Sequence, residues 1–285
     1  MTKYAMVTGA STGIGRGTVK VLTGEGFHVF GSVRKEADAD SLKQEFGDKV
    51  TPVVFDVTDE AGVRAGAAFV KEQLKGATLD GLVNNAGIAV AGPWMHLPIE
   101  EFRHQLEVNT ISILTVTQAF LPLLGATNPP PAHPGRIVNI SSLGGKNGSP
   151  FLGPYNASKF AVEGMTESMR REFQIYGIDA IVIGPGAIAT PIWDKAEELP
   201  IAPYEGTDFI EPLKKTRDYM TEMGPKGLPP EAVGTAVLKA LTAAKPKVRY
   251  AVLPSPMEVF IQSVLPKRRV DKIIAKRLGL TRLGS

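Results

Sequence analysis

Short apolar runs alternate along the chain with segments whose apolar residues recur at helical spacing. The runs are "YAMVT", "HVFGSV", "VTPVVFDV", "LDGLVNNA", "GRIVNISS", "IDAIVIGP" and "VRYAVL". The segments between them predict helices over Ile14 to Thr23, Ala39 to Phe46, Ala61 to Lys75, Ile99 to Leu124, Tyr155 to Tyr176 and Glu231 to Ala243. Runs that are apolar on both faces, separated by helices, predict a parallel sheet covered on two sides. Short connections and right-handed crossovers then give an α/β, doubly wound parallel sheet of the Rossmann type, flanked by helices. No repeat or linker interrupts this order, so residues 1–285 read as one domain.

Two stretches fall outside the alternation. "GATNPPPAHPGR" (Gly125 to Arg136) leads into the start of a strand. Ligands in such sheets bind beyond the strands' carboxyl ends, so this Pro-rich loop reads as a surface insertion remote from chemistry. The second stretch, about 191–230, leaves the carboxyl side after "IVIGPG" and carries Trp193, Leu199, Ile201, Tyr204, Phe209, Tyr219, Met220 and Met223. It could be a packed flap, but its edge of the sheet favours a substrate lid.

Composition narrows the chemistry. There is no cysteine, which removes disulfides, thiolate metal sites and a cysteine nucleophile. His28, His96, His104 and His133 are scattered without ligand spacing, so no metal is expected. The opening "MTKYAMVTGA" lacks a leader pattern, and no apolar run approaches the roughly 20 residues of a membrane span. A soluble cytoplasmic protein is expected. The net charge is +3, but Pro266 to Ser285 holds seven bases against Asp271, leaving 25 of 32 bases and 28 of 29 acids elsewhere. The basic character belongs to the tail, and no nucleic-acid footprint spans the domain.

Candidate chemistry begins at "YNASKFAVEGM", where Tyr155 and Lys159 fall on one face of a predicted helix. Alone, such a pair reads as a surface aromatic beside a solvated lysine. "TGASTGIG" (Thr8 to Gly15) adds context, because it follows the first strand and opens the first helix. There, backbone N–H groups and the positive helix end suit a pyrophosphate. Gly9 permits the tight turn, Gly13 close backbone approach, and Gly15 close packing of the helix.

The spacing G-x-x-x-G-x-G is similar to that of the short-chain dehydrogenase/reductase family, and the resemblance extends over nearly the whole chain. "NNAG" (Asn84 to Gly87), Asp56 in "FDV", Asn109 in "VNT", Ser142 in "NISS" and "PGAIAT" (Pro185 to Thr190) follow in the family's order. The resemblance implies a dinucleotide-binding catalytic domain in which Asn109, Ser142, Tyr155 and Lys159 are catalytic. It implies cofactor contacts at Gly9, Ser11, Thr12, Gly13, Ile14, Gly15, Arg34, Asp56, Val57, Asn85, Ala86, Gly87, Tyr155, Lys159, Pro185, Gly186, Ile188 and Thr190. Tyr155 would pass a proton to or from the substrate oxygen, Ser142 would bond the same oxygen, and Lys159 would hold the nicotinamide ribose. Lys159, with the charged nicotinamide, would also favour the phenolate of Tyr155. Asn109 would anchor a water linking Lys159 to solvent.

At the end of the second strand, where NAD-dependent members carry an acid, this chain has Val33 followed by Arg34. An arginine can pair with a 2′-phosphate, which favours NADP over NAD; the alternative is a solvated loop residue. The lid and the ending "LPKRRVDKIIAKRLGL" are most similar to the hydroxysteroid and retinol dehydrogenase branch. That implies a lipophilic ketone or secondary alcohol. A carrier-linked 3-ketoacyl reductase and a non-catalytic NADP-binding sensor are the alternatives. "TISILTVTQAFLPLL" is apolar on more than one face, which predicts a homodimer or homotetramer built on Thr110 to Leu124 and Tyr155 to Tyr176. The extension at about 254–285 groups Val259, Phe260, Val264, Val270, Ile273 and Ile274 among its bases. Pro254, Pro256 and Pro266 divide it, favouring packing on its own protein over contact with an anionic membrane.

Overall fold

The computed structural model describes residues 2–191, 201–255, 257 and 264–282. Seven parallel strands form one sheet in the order β3-β2-β1-β4-β5-β6-β7. They are β1 (Lys3–Val7), β2 (Phe27–Val33), β3 (Val50–Val54), β4 (Gly81–Asn84), β5 (Arg136–Ile140), β6 (Asp179–Pro185) and β7 (Arg249–Val252). The order reverses beside β1, so a crevice opens where the turns after β1 and β4 diverge. β3 stops at Val54, which leaves Asp56 and Val57 beyond the strand, at the carboxyl edge.

The helices follow the predicted order. They are α1 (Gly13–Gly24), α2 (Glu36–Phe46), α3 (Glu60–Leu74), α4 (Ile99–Leu106), α5 (Ser112–Phe120), α6 (Gly153–Glu172), α7 (Ile210–Met223), α8 (Pro230–Thr242) and α9 (Lys267–Leu278). Because side chains alternate across a strand, each strand feeds two cores. Ala5 and Val7 of β1 join Val19, Leu22, Val233 and Val237 from α1 and α8, whereas Met6 joins Val63, Val70, Val116 and Phe120 from α3 and α5. Each such large apolar side chain, fully buried, contributes on the order of 1.5–3 kcal/mol of transfer free energy.

Two predictions are corrected. The helix expected over Ile99 to Leu124 is not uniform: a π turn, Glu107–Ile111, separates α4 from α5, and a 3₁₀ turn, Leu121–Leu124, ends the run. By length and composition alone these 26 residues would also qualify as a membrane span. In the fold they instead cover the sheet, with Ile113, Val116, Phe120 and Leu124 buried. Second, the lid contains a helix that apolar periodicity did not mark, α7. The expected C-terminal helical extension is present as α9 after Pro266. Val264 and Ile273 are exposed at 62% and 59%, whereas Val270 and Ile274 turn partly inward. Trp193, Leu199, Pro256, Val259 and Phe260 lie outside the described residues. The Pro-rich loop sits at the amino end of the sheet, where Gly135 N–H donates to Leu124 and Arg136 N–H to Asp80.

Candidate active site

The turn after β1 is held from several directions. Gly9 (φ 64°) and Gly13 (φ 53°) take left-handed backbone, and a Cβ on Gly15 would lie 2.0 Å from the Gly9 carbonyl oxygen. Only glycine serves at all three places. Asn85 Nδ2 donates to the carbonyls of Thr8 (2.8 Å) and Gly9 (3.1 Å), and Thr8 Oγ1 accepts from the N–H groups of Asn85 (2.9 Å) and Ala86 (3.0 Å). Ser32 Oγ accepts from Gly9 N–H at 3.2 Å. α1 then begins at Gly13 with Thr12 as its N-cap, whose side chain makes no cap bond, and no acid lies in its first turn. Its leading N–H groups and positive dipole end are therefore available to an anion, which fits a pyrophosphate. Ser11 contributes its carbonyl to Arg16 Nη1 at 3.0 Å, tightening the entry to the helix.

The segment after β6 folds back over this turn. Gly186 N–H donates to Val252, and Ile188 forms a parallel bridge with Leu228. Thr190 then stands 3.3 Å from where a Gly13 Cβ would be. Gly13 thus makes room for Thr190 within the protein, a contact its expected role did not include. Val33 is buried in the core and Arg34 is exposed just beyond β2. Burial pushes the Asp56 carboxyl up, but two bonds from Thr58 and the charges of Arg34 and His104 outweigh it and hold the group below its ordinary value.

The reacting groups meet at the ends of β5 and α6. Lys159 is buried, and its Nζ donates to the Ile140 carbonyl at 2.8 Å while lying 5.7 Å from the centre of the Tyr155 ring. Burial lowers its pKa to about 8. Burial raises the pKa of Tyr155, while a hydrogen bond with the Ser142 hydroxyl works the other way. The ammonium is directed at Ile140, and desolvation of the phenol outweighs its neighbours. Ser142 also accepts from Gly144 N–H at 3.0 Å, so it caps a 3₁₀ turn while facing the phenol.

Asn109 sits in the π turn with both side-chain N–H groups and one lone pair of Oδ1 engaged. Oδ1 accepts from Ile88 N–H (2.8 Å), and Nδ2 donates to the Ile88 carbonyl (3.0 Å) and Ser158 Oγ (3.1 Å). One turn earlier, buried Gln105 bonds Ile88 and Val90 in the same manner. Sequence reasoning missed Gln105, Thr8, Ser32 and Ser158; the i, i+4 amide pair in "HQLEVN" was the available signal for Gln105.

Phe151, Tyr204 and Leu213 form a separate apolar cluster with Ile201, Phe209 and Leu280, joining lid and tail. Phe151 takes left-handed backbone at φ 63°, and its carbonyl accepts from Gly92 N–H at 2.8 Å. A cavity of about 420 Å³ lies between Trp94, Pro150, Asn156, Asp271, Ile274 and Leu280. Its lining includes Gly153 and Asn156, either side of Tyr155 along the chain. Arg277 of α9 stacks over Tyr219 of α7 at 4.4 Å.

A model of the short chain dehydrogenase family matches residues 3–199. The NADPH-dependent 3-dehydrocapnine reductase of Ornithobacterium rhinotracheale is 40% identical over 277 residues, 97% of each chain. Human retinol dehydrogenase 16 is 31% identical over 287 residues, covering 95% of this chain and 87% of that protein. Among solved structures, a variant of actinorhodin polyketide ketoreductase with NADPH superposes with a TM-score of 0.73 at 30% identity, covering 89% of this chain and 95% of that one.

Proposed function

The chain belongs to the short-chain dehydrogenase family, and on that premise we propose that it transfers a hydride between NADP(H) and a lipophilic ketone or secondary alcohol. The observation that carries this reading is the junction of Ser142, Tyr155 and Lys159 beside an anion-receptive Gly-rich turn. When bound, the nicotinamide cofactor supplies or accepts the hydride and, in its oxidised form, a positive charge. The protein's own groups do the rest. Gly9, Ser11, Thr12, Gly13, Ile14 and Gly15 hold the pyrophosphate. Asp56, Val57, Asn85, Ala86 and Gly87 line the adenosine side, and Pro185, Gly186, Ile188 and Thr190 the nicotinamide side.

Tyr155 gives its proton to the carbonyl oxygen in reduction and takes one from the alcohol in oxidation. Ser142 bonds both the phenol and the substrate oxygen, stabilising charge as it develops. With a pKa of about 8, Lys159 exchanges protons near neutral pH far more readily than an ordinary lysine, so it can reprotonate the phenolate. Asn109 positions α6 through Ser158.

Support for NADP comes from Arg34, exposed beside Asp56 where a 2′-phosphate would lie, and from the apolar burial of Val33 in place of an acid. The NADPH-dependent relative points the same way. Support for a lipophilic substrate comes from the aromatic lid cluster and from the relatives' names. Exposed Ile111 and Leu114 on the π turn and α5, and Phe160 on α6, support assembly into a homodimer or homotetramer. The direct test is oxidation of NADPH and of NADH with α-tetralone, a ketosteroid and acetone. The reading requires turnover, a higher kcat/KM with NADPH, and preference for the bulky ketones; equal use of both cofactors would remove the NADP assignment.

A further inference from the structure

Ser142 is held by more than the turn it caps. Arg249, the first residue of β7, donates from Nη2 to the Ser142 carbonyl at 3.3 Å. The same guanidinium donates from Nε to both carboxylate oxygens of Glu163, each at 3.1 Å. Glu163 lies on α6 one turn after Lys159, and its side chain is only 10% exposed. Lys146, just past the Ser142 turn, pairs with the same carboxylate at 3.3 Å. Arg249 pairs with Val182 across the sheet and must cross β6 to reach these partners. It crosses over Gly184, where a Cβ would lie 2.2 Å from Nη2.

We propose that Arg249 and Glu163 form a positioning clamp that sets Ser142 against Tyr155. The inference rests on the catalytic roles just assigned to Ser142 and Tyr155. Ser142 leaves the end of β5 on a short turn, while Tyr155 and Lys159 stand on α6. The two sides have no covalent connection shorter than the loop between them. Lys159 ties α6 to the carbonyl of Ile140, and Arg249 ties β7 and α6 to the carbonyl of Ser142. Arg249 joins the Gly145 N–H, at 3.1 Å, on that carbonyl and so braces the turn whose Gly144 N–H orients the Ser142 hydroxyl. A planar guanidinium can serve carboxylate and carbonyl together, whereas an ammonium is a point donor. A surface ion pair would not need this fork, nor a glycine beneath it.

The decisive experiment is a double-mutant cycle of Arg249→Lys with Ser142→Ala, using α-tetralone with NADPH and tetralol with NADP⁺. Arg249→Lys keeps a cation for Glu163, so the buried carboxylate is not abandoned. In the parent chain it should lower kcat about 10-fold with little change in the KM for NADPH, and in the Ser142→Ala background it should cost less than about 2-fold. Glu163→Gln should give a smaller loss of the same kind. The pH limb of tetralol oxidation should also move upward in Arg249→Lys, because a displaced Ser142 no longer favours the phenolate. Equal losses in both backgrounds, an unmoved pH limb, or no loss of kcat in Arg249→Lys would each overturn the clamp while leaving Ser142 catalytic. A Ser142→Ala variant with undiminished turnover would instead overturn the role of Ser142, and the clamp with it.

Discussion

The turn around Thr8 and Gly9 is held by hydrogen bonds between specified atoms, whereas the roof around Leu213 is held by rings and methyl groups. In the first region Asn85, Thr8 and Ser32 each meet particular backbone groups, and left-handed backbone at Gly9 and Gly13 and lack of space at Gly15 bar a different side chain. In the second, Phe151, Tyr204, Phe209 and Leu280 pack without directional bonds among their side chains. Hydrogen bonds weaken steeply with angle and distance, but apolar burial depends mainly on area. The floor should therefore fail when single atoms change, and the roof should tolerate exchange while altering which substrate fits.

The largest break in this contrast is expected at Tyr155→Phe, which removes one oxygen. Turnover should fall by about 10²–10⁴ or more while NADPH affinity, measured by fluorescence titration, stays near the parent value. Near-normal turnover would remove Tyr155 from the chemistry.

Lys159→Met should also lose turnover, yet gain stability. In the folded chain the Lys159 pKa is about 8 against an ordinary 10.5, so the unfolded state binds this proton more strongly. Stability of the parent chain therefore rises with pH between those values. The uncharged variant should be more stable at neutral pH by at most about 3 kcal/mol, less the lost bond to Ile140. That margin should narrow as pH climbs from about 8 towards 10.5. Urea titrations at several pH values would check the sign.

A smaller effect is expected at the cofactor's far end. Val33→Asp with Arg34→Ala should move the NADPH/NADH ratio of kcat/KM by about 10-fold or more toward NADH, by placing a carboxylate where a 2′-phosphate would be repelled. The smallest effect belongs to the roof. A chain ended after Leu265 lacks Asp271, Ile274 and Leu280 from the cavity wall. Its KM for a ketosteroid should rise several-fold, with little change for acetone. A parallel loss for both substrates would mean that the tail supports the whole site and not its shape.

Much of the floor was legible because its signals are local. Gly9 and Gly15 sit where a strand-to-helix turn requires them, and Tyr155 and Lys159 share a face by helical spacing alone. The bonds of Asn109 were not legible. Its position in the helix, even with Gln105 one turn earlier, reads equally as a cap, and only the approach of Ile88 and Ser158 shows which groups its amide meets. The lid helix α7 was missed because its sequence, "IEPLKKTRDYMTEM", is mostly polar and contacts the core through few residues.

The sequence by itself determined the alternation of strands and helices, the anion-receptive turn and the pairing of Tyr155 with Lys159. These depend on neighbours within a few residues, whose geometry the backbone sets. Only the tertiary structure decided that burial carries Lys159 down to about 8, that Ser142 faces the phenol, and that Ile273 of the tail points outward while Ile274 turns in. Each of those depends on how closely elements remote in the chain pack, and desolvation and hydrogen bonding change over distances that no local pattern encodes.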